Sequence, residues 1–133
     1  GRKVSGVDHN RVTMILAVLE KRTGLLLGGY DVFVNVVGGV KIEEPAADLA
    51  IAIAIASSFK DIAIPGNTII IGELGLGGEV RGVSHFDSRI KEAARLGFEN
   101  AIVPKDNTKD FSRIESINMT EVSSLAEATD KIC

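Results

Sequence analysis

The sequence predicts a mixed α/β fold, a single domain in which strands and helices alternate along the chain. The chain has 133 residues, of which 45% are hydrophobic, and this length can bury one core but not two. Segments with helical periodicity alternate with short segments rich in β-branched residues. Neither an internal repeat nor a low-complexity linker interrupts the alternation, so helices packed on a sheet are the expected architecture.

The first helix is predicted over residues 9–22. Apolar side chains recur there at roughly helical spacing, namely Val12, Ile15, Leu16, Val18 and Leu19. Asn10 is the expected N-cap and Gly24 lies just beyond the expected end. This segment should form an amphipathic helix.

The second helix is predicted over residues 49–56, where large apolar residues alternate with alanine. A period of two is typical of a strand. We nevertheless predict a helix, because Pro45 suits a first helical turn, the acids Glu43, Glu44 and Asp48 complement the helix dipole, and alanine has the highest helix propensity. Being apolar on every side, this helix should be central and buried.

Strands are predicted between the helices. Residues 30–37 should form a mostly buried strand that ends at Gly38-Gly39. Residues 68–73 and 79–83 flank a glycine-rich segment, 75–78, and predict two strands joined by a tight turn. Short strands are also expected at residues 101–103 and 117–122.

Two further helices are predicted in the second half of the chain. Ser84 is followed three residues later by Asp87, which has the form of a capping box and predicts a helix running to about Leu96, before Gly97. A closing helix is expected from about Ser124.

Composition limits the classes of function. The net charge of −3 argues against a wholly basic surface, although the 15 Lys and Arg could still cluster on one face. The lone Cys133 excludes an internal disulfide framework and fits a reducing compartment, so a cytoplasmic location is expected. No apolar stretch is long enough to span a membrane. Because the sequence begins at Gly1 rather than Met, we expect it to be a piece of a longer protein.

Neither a nucleotide site nor a metal site is expected in this chain. Its glycine-rich segment lacks the P-loop spacing and the lysine that ends a P-loop, so a hairpin turn is the better interpretation. His9 and His85 have no partners at metal-ligand spacing and are expected to be surface or capping residues.

Other polar residues also have structural explanations. Asp48 and Asp87 could be proposed as an acid pair, but acids near helix starts stabilise the helix dipole without any catalytic duty. Ser57 and Ser58 do not lie at a helix N-terminus, where an oxyanion hole could form, and Ser84 is assigned to capping.

The most informative segment is residues 43–50, which has the form of a serine-peptidase active-site turn without a nucleophile. Ala46 stands where the attacking hydroxyl would be. A methyl group cannot attack a carbonyl, so covalent catalysis lacks its central residue.

Basic side chains are the remaining functional candidates: Lys41, Arg81, Arg89, Lys91 and Arg95. Lys91 and Arg95 share one helical stripe at i, i+4. Phosphate contacts and a solvated charged face explain these residues about equally well.

Most of the chain, from about residue 4 to residue 107, resembles the proteolytic domain of Lon. In Lon the turn reads Pro-Ser-Ala-Gly and a later helix begins with a catalytic lysine. Here the serine position is Ala46 and the lysine position falls on Asp87. The resemblance implies a Lon-protease-like fold, also described as ribosomal protein S5 domain 2-like, from which both members of the Ser-Lys dyad are missing.

Several sequence blocks, in order, resemble one family more closely, the C-terminal Lon-like domain of the bacterial DNA repair protein RadA, also called Sms. These blocks are residues 44–50, 56–58, 72–76, 78–81, 92–94, 96–98 and 103–104. Full-length members of this family have an N-terminal zinc motif and a RecA-like ATPase domain, and they process branched DNA during recombination. ATP, Mg and Zn are therefore expected only in parts of the parent protein outside this chain, and the chain itself is expected to bind no cofactor.

The resemblance implies a non-catalytic scaffold domain that supports a homo-hexameric ring and contacts single-stranded or branched DNA, with no membrane partner. Two alternatives stay open. One is a working peptidase with a relocated dyad, Ser84 with Lys41 or Lys91. The other is a module for protein-protein assembly alone, which the acidic net charge favours.

Overall fold

A computed structural model of the chain describes residues 1–36, 42–112 and 114–132. The fold is mixed α/β, which confirms the predicted class. Val37, the predicted turn at Gly38-Gly39, Lys41 and Cys133 lie outside the described residues. In chain order, the elements are β1 (Arg2–Ser5), α1 (His9–Thr23), β2 (Val32–Asn35), α2 (Asp48–Lys60), β3 (Thr68–Ile70), β4 (Glu73–Leu74), β5 (Val80–Arg81), α3 (Phe86–Arg95), β6 (Asn100–Pro104), β7 (Asn118–Val122) and α4 (Leu125–Ile132).

The strands form three small sheets. β1 pairs with β2 in parallel, and β3, β6 and β7 form a parallel sheet in the order β3-β6-β7. β4 and β5 form an antiparallel hairpin. Helices cover the parallel strands, because a parallel connection requires a crossover that packs on the sheet.

The core of the described residues is divided into two apolar clusters. One surrounds α1, α2 and α4 and includes fully buried Ile15, Leu19, Leu49 and Leu125. The other joins α3 to the β3-β6-β7 sheet. The turn that precedes α2 contributes to this second cluster, so it lies where the two halves of the fold meet.

The first helix, α1, is capped by a different residue from the one expected. The helix over residues 9–22 is confirmed, and Gly24 ends it with a left-handed φ of 76°. The N-cap is Asp8 rather than Asn10, because the Asp8 carboxylate accepts the N–H of Asn10. Asp has both the side-chain acceptor and the extended backbone that an N-cap needs.

α2 is a helix, as predicted, but it is not buried on every side. Its inner face contains buried Leu49, Ala52 and Ile53. Its outer face is on the surface of this chain, where Ala54 is exposed and Ile55 is half-buried. The prediction of a fully buried helix is therefore wrong for this chain, since β2 and α2 leave a groove between them.

The prediction of one long strand over residues 68–73 is also wrong. β3 pairs with β6, whereas β4 belongs to the hairpin with β5. The division falls at Gly72, whose added Cβ would lie 3.0 Å from Val80 and 3.1 Å from Leu49. A Cβ at this position would be tight unless Val80 and Leu49 moved by a few tenths of an ångström, and the chain changes sheets there.

The first sheet departs from prediction in two ways. β1 was not predicted, because its polar residues Arg2, Lys3 and Ser5 hide the strand pattern. β2 is shorter than residues 30–37 and alternates half-buried with exposed residues, so it is not mostly buried. One face of this two-stranded sheet packs on the core and the other faces solvent.

The predicted capping box at Ser84 and Asp87 does not form. The N-cap of α3 is His85, with a left-handed φ of 56° and no side-chain capping bond. A capping arrangement forms instead at α4, where the Ser124 hydroxyl accepts the N–H of Glu127, and the Glu127 carboxylate accepts the N–H of Ser123. The expected start of the last helix near Ser124 is confirmed.

We expect Ser124→Ala to lower the free energy of unfolding by about 1 kcal/mol, because the variant has no side-chain oxygen to cap the helix. Ser84→Ala is the matched control and should leave stability within about 0.5 kcal/mol. Urea unfolding followed by circular dichroism measures both. A larger loss for Ser84→Ala than for Ser124→Ala would contradict the assigned caps.

Candidate functional site

The turn at the start of α2 holds the site that resembles a peptidase centre. Pro45–Ala47 form a short 3-10 turn, and Ala46 is 8% exposed. The Ala46 carbonyl accepts the N–H of Gly72 at 2.9 Å, and the Gly72 carbonyl accepts the N–H of Leu49 at 3.0 Å. Backbone bonds on both sides of Gly72 therefore fix the turn, and the methyl group of Ala46 offers nothing that could react.

The start of α3 packs against the same turn. Ala46 shares an apolar cluster with Phe86 and Ile90. Asp87 follows Phe86 and is exposed in the first turn of α3. The fold thus brings together the two segments that the sequence analysis assigns, from the resemblance to Lon, to the positions Ala46 and Asp87. The side chains at these positions are a methyl group and a carboxylate.

Arg89 links these two segments by an ion pair. Its guanidinium pairs with Glu44, and its Nε donates to the carbonyl oxygen of Ser84 at 2.8 Å. The hydrogen bond from Arg89 lowers the pKa of Glu44, partial burial opposes this, and His85 contributes a smaller lowering. Arg89 therefore ties the segment before Ala46 to the beginning of α3.

Asp48, the first residue of α2, forms the most buried ion pair among the described residues. Its carboxylate accepts Nε of Arg11 at 2.5 Å, Nη2 of Arg11 at 2.6 Å and the N–H of Leu74 at 3.1 Å. The Asp48 side chain is 1% exposed. The hydrogen bond with Asp48 raises the pKa of Arg11, against a smaller lowering by burial.

Sequence reasoning missed this pair, since it assigned Asp48 only to the helix dipole. A signal was present, because an acid that opens an otherwise apolar helix is seldom fully buried without a cation. Nothing local identifies Arg11 as that cation, because the two residues are 37 positions apart.

Asn107 is a second residue that sequence reasoning missed. Its Nδ2 donates to the carbonyl oxygen of Val83 at 3.0 Å, and its Oδ1 accepts the N–H of Val83 at 2.8 Å. This pair of bonds fixes the segment between β5 and α3. It positions the start of α3 without touching Asp87.

The described residues do not form the relocated dyad. Within the described ranges, Ser84 has no hydrogen bond to Lys91, and Lys41 lies outside them. The Ser57 hydroxyl donates to the carbonyl oxygen of Ala54 at 2.9 Å. His9 lines an acidic pocket beside the turn. No group of three potential metal ligands occurs in the part of the chain that the structure describes.

Four of the five predicted DNA-binding residues are described by the structure, and they lie on two elements, β5 and α3; Lys41 is outside the described residues. Arg81, on the hairpin, donates to Glu79 at 3.0 Å and lies 3.9 Å from Glu73. Arg95 donates to Glu92 at 3.0 Å. The exposed Lys91 forms no ion pair with the residues that the structure describes. Among the described residues, the ion pairs of Arg81 are with Glu79 and Glu73 and do not involve α3.

A family model described as "Subunit ChlI of Mg-chelatase" matches residues 8–107 of this chain. Because the match covers more than half of the chain, the chain belongs to that family. The matched range contains the turn at Ala46, α2, the hairpin and α3.

Curated relatives of the chain are named "DNA repair protein RadA". The relative from Bacillus subtilis (strain 168) is 50% identical over 127 residues, which are 96% of this chain and 28% of the relative. The Synechocystis relative is 53% identical over 107 residues, 80% of this chain and 21% of the relative. The Streptococcus pneumoniae relative is 45% identical over 131 residues, 98% of this chain and 31% of the relative. The predicted relationship to the RadA family is confirmed, and the chain spans about a third or less of these relatives.

Among the described residues, none of the helices is long and apolar enough to cross a membrane.

We expect Arg11→Met to lower the free energy of unfolding by about 3 kcal/mol, because it leaves the buried Asp48 carboxylate without its cation. Arg11→Met/Asp48→Asn should recover part of this loss, since an amide oxygen still accepts the Leu74 N–H and carries no charge. Urea unfolding of all four members of this cycle measures the coupling. Arg95→Met, which breaks an exposed pair, is the control and should cause no measurable change. Equal losses of unfolding free energy for Arg11→Met and the double variant would contradict the role of Arg11 as the cation that neutralises Asp48.

The depressed pKa of Glu44 should depend on Arg89. A carboxylate whose pKa is lower when folded adds stability above its unfolded pKa of about 4.3, and this stability is lost as the pH falls through the folded pKa. In a carboxyl NMR titration, Arg89→Ala should raise the pKa of Glu44. Arg95→Ala is the matched control, because it should raise the pKa of Glu92 instead. An unchanged Glu44 pKa in Arg89→Ala would disprove the link.

Proposed function

We propose that this chain is a non-catalytic Lon-like scaffold domain of a RadA-type DNA repair ATPase. One observation carries the proposal. Ala46, which the resemblance to Lon assigns to the nucleophile position, has its methyl group packed in an apolar cluster and its backbone bonded to Gly72. A fold that retains the active-site turn but has no attacking group can hold other molecules without cleaving them.

In this proposal the domain supports a hexameric ring and contacts DNA during recombinational repair in the cytoplasm. The names of its relatives support a role in DNA repair. The parent protein supplies ATP hydrolysis, Mg and Zn through regions outside this chain. In a ring, weak contacts of each subunit with DNA add up to a stronger overall affinity.

A second function, protein-protein assembly without DNA contact, is favoured by a specific observation. Arg81, Arg89 and Arg95 each pair with a carboxylate, and the net charge is −3. Each of these arginines can bind a phosphate only if the phosphate displaces the carboxylate that it now pairs with. Lys91 and Lys41 are the remaining members of the predicted DNA-binding set.

We expect the affinity of the full-length protein for duplex and single-stranded DNA to fall as the salt concentration rises. The logarithm of the binding constant should fall with the logarithm of the salt concentration, with a slope close to one unit for each phosphate that the protein neutralises. Replacing a residue that contacts phosphate should reduce that slope. The variants to compare are Lys41→Ala, Arg81→Ala, Arg89→Ala, Lys91→Ala and Arg95→Ala. Fluorescence anisotropy over a salt series measures this, with Lys131→Ala on α4 as a charge-matched control. DNA binding that does not depend on salt, or no DNA binding by the assembled hexamer, would favour protein-protein assembly without DNA contact.

A serine-reactive probe tests whether the domain is catalytic. We expect a fluorophosphonate probe to label no serine and a fluorogenic peptide to remain uncleaved, because Ala46 has no hydroxyl. Ala46→Ser serves as a companion variant that restores the hydroxyl alone, and without a lysine at Asp87 it should also stay unlabelled. Labelling of Ser84 in the wild-type chain would establish the relocated dyad and reject the non-catalytic assignment.

A further inference from the structure

The sheet formed by β1 and β2 has one apolar face and one face of mixed chemistry. The valines of both strands pack against the core cluster around α1 and α2. The residues between these valines point the other way, because successive side chains of a strand alternate between the two faces of a sheet. The register pairs Lys3 with Phe33 and Ser5 with Asn35, and all four residues are exposed. These four residues are called the solvent face below.

Phe33 lies at the centre of the solvent face. It is the most exposed aromatic residue that the structure describes, at 72%. The ring contacts among the described residues join Tyr30 to Phe59 and Phe86 to Phe111, so the ring of Phe33 has no aromatic partner there. Burial of a phenylalanine side chain is strongly favourable, and the fold leaves this gain unused. The ring is therefore a flat apolar surface that a ligand can cover.

The neighbours of this ring have unused polar groups. Lys3, Ser5 and Asn35 make no side-chain hydrogen bond or ion pair with any residue that the structure describes. The acid beside them, Asp31, pairs with the Gly1 ammonium and leaves Lys3 without an acidic partner among the described residues. An ammonium, a hydroxyl and an amide thus surround the ring. They offer a cation for an anion, and donors and acceptors for a polar ring edge.

This combination fits a nucleotide better than a protein surface. The cores of protein-protein interfaces are depleted of lysine and serine, and two of the four residues on the solvent face are of these types. Proteins that bind single strands stack the bases on exposed aromatic side chains and hold the phosphates with cations. A duplex does not fit, because its bases are stacked inside the double helix and reach a ring only after they unstack.

We propose that the solvent face binds single-stranded DNA, with one base stacked on Phe33, a phosphate paired with Lys3, and the base edge hydrogen-bonded by Asn35 or Ser5. This inference rests on the proposed DNA-contacting function and adds a separate surface to it, because none of the four residues belongs to the basic set proposed above. Cations alone bind the phosphates of either form of DNA, whereas stacking needs an unpaired base. The solvent face therefore gives the domain a preference for single strands.

A fluorescent ring at position 33 tests the stacking. The chain has no tryptophan, so one introduced indole reports on its own position. Phe33→Trp keeps a ring, and its fluorescence should be quenched by a thymidine oligonucleotide of about eight nucleotides. Leu76→Trp is the matched control, because Leu76, in the turn between β4 and β5, is 74% exposed. Its fluorescence should stay nearly unchanged, and a blunt-ended duplex should quench neither variant.

Further variants separate the contributions of the ring and the charge, with affinities measured by two-dimensional NMR, which detects weak binding. Phe33→Leu keeps an apolar side chain without a ring and should weaken binding of the oligonucleotide about tenfold. Phe33→Tyr should bind within about threefold of wild type, because it keeps the ring. Lys3→Gln should lower the salt slope by about 0.7 unit, and Lys3→Arg should restore it. Circular dichroism checks that each variant is folded.

Several results would overturn this inference. Equal affinity of Phe33→Leu and wild type for the oligonucleotide, or equal quenching at positions 33 and 76, would exclude stacking on the ring. Equal quenching of Phe33→Trp by duplex would exclude the preference for single strands. Self-association in sedimentation that Phe33→Leu abolishes would assign the solvent face to a contact between copies of the chain.

Failure of this inference can be told apart from failure of the proposed function. If the chain binds no oligonucleotide while the full-length protein binds DNA in the salt series, the solvent face is not a DNA site and the proposed function stands. If the full-length protein binds no DNA in the salt series, DNA contact itself is excluded.

Discussion

The ion pair between Asp48 and Arg11 is the interaction on which the arrangement of this fold most depends. Asp48 is fully buried, and a buried carboxylate is stable only when its oxygens are paired. Its partners come from α1 and from the Leu74 N–H of β4, so one side chain joins three elements. Because Asp48 directly follows the turn at Ala46, this pair also fixes where the turn lies.

The turn that precedes α2 is held by backbone hydrogen bonds and by apolar packing. The backbone of Gly72 bonds to Ala46 on one side and to Leu49 on the other, and the side chains of Leu49 and Val80 leave little room for a Cβ at this position. Ala46 is buried in the same apolar cluster as Phe86 and Ile90. Gly72 supports this turn through its backbone, so the turn does not need a reactive side chain at position 46 to hold its place.

Local patterns predicted the elements whose formation depends on local causes. The periodicity of α1 and the proline, acids and alanines of α2 were sufficient to identify both helices. Patterns failed where a distant contact decides the structure. At Ser84 the carbonyl is bonded by Arg89 and the preceding Val83 is held by Asn107, so the chain enters α3 through His85 in a left-handed conformation and the capping box is not formed. The Arg11 and Asp48 pair likewise depends on tertiary structure that periodicity does not encode.

The basic residues of the candidate site differ in how readily they could exchange partners. Arg81 pairs with Glu79, which immediately precedes β5, and Arg95 pairs with Glu92 on its own helix; both arginines are more than half exposed. Exposed pairs are weak in water, so phosphate could displace these carboxylates at little cost. Arg89 is 26% exposed and bonds both Glu44 and the Ser84 carbonyl, which connects two segments of the fold. Replacing its partners would loosen the start of α3. Arg89 is therefore primarily a positioning residue, whereas Arg81, Lys91 and Arg95 have side chains that can meet a polyanion while the fold stays unchanged.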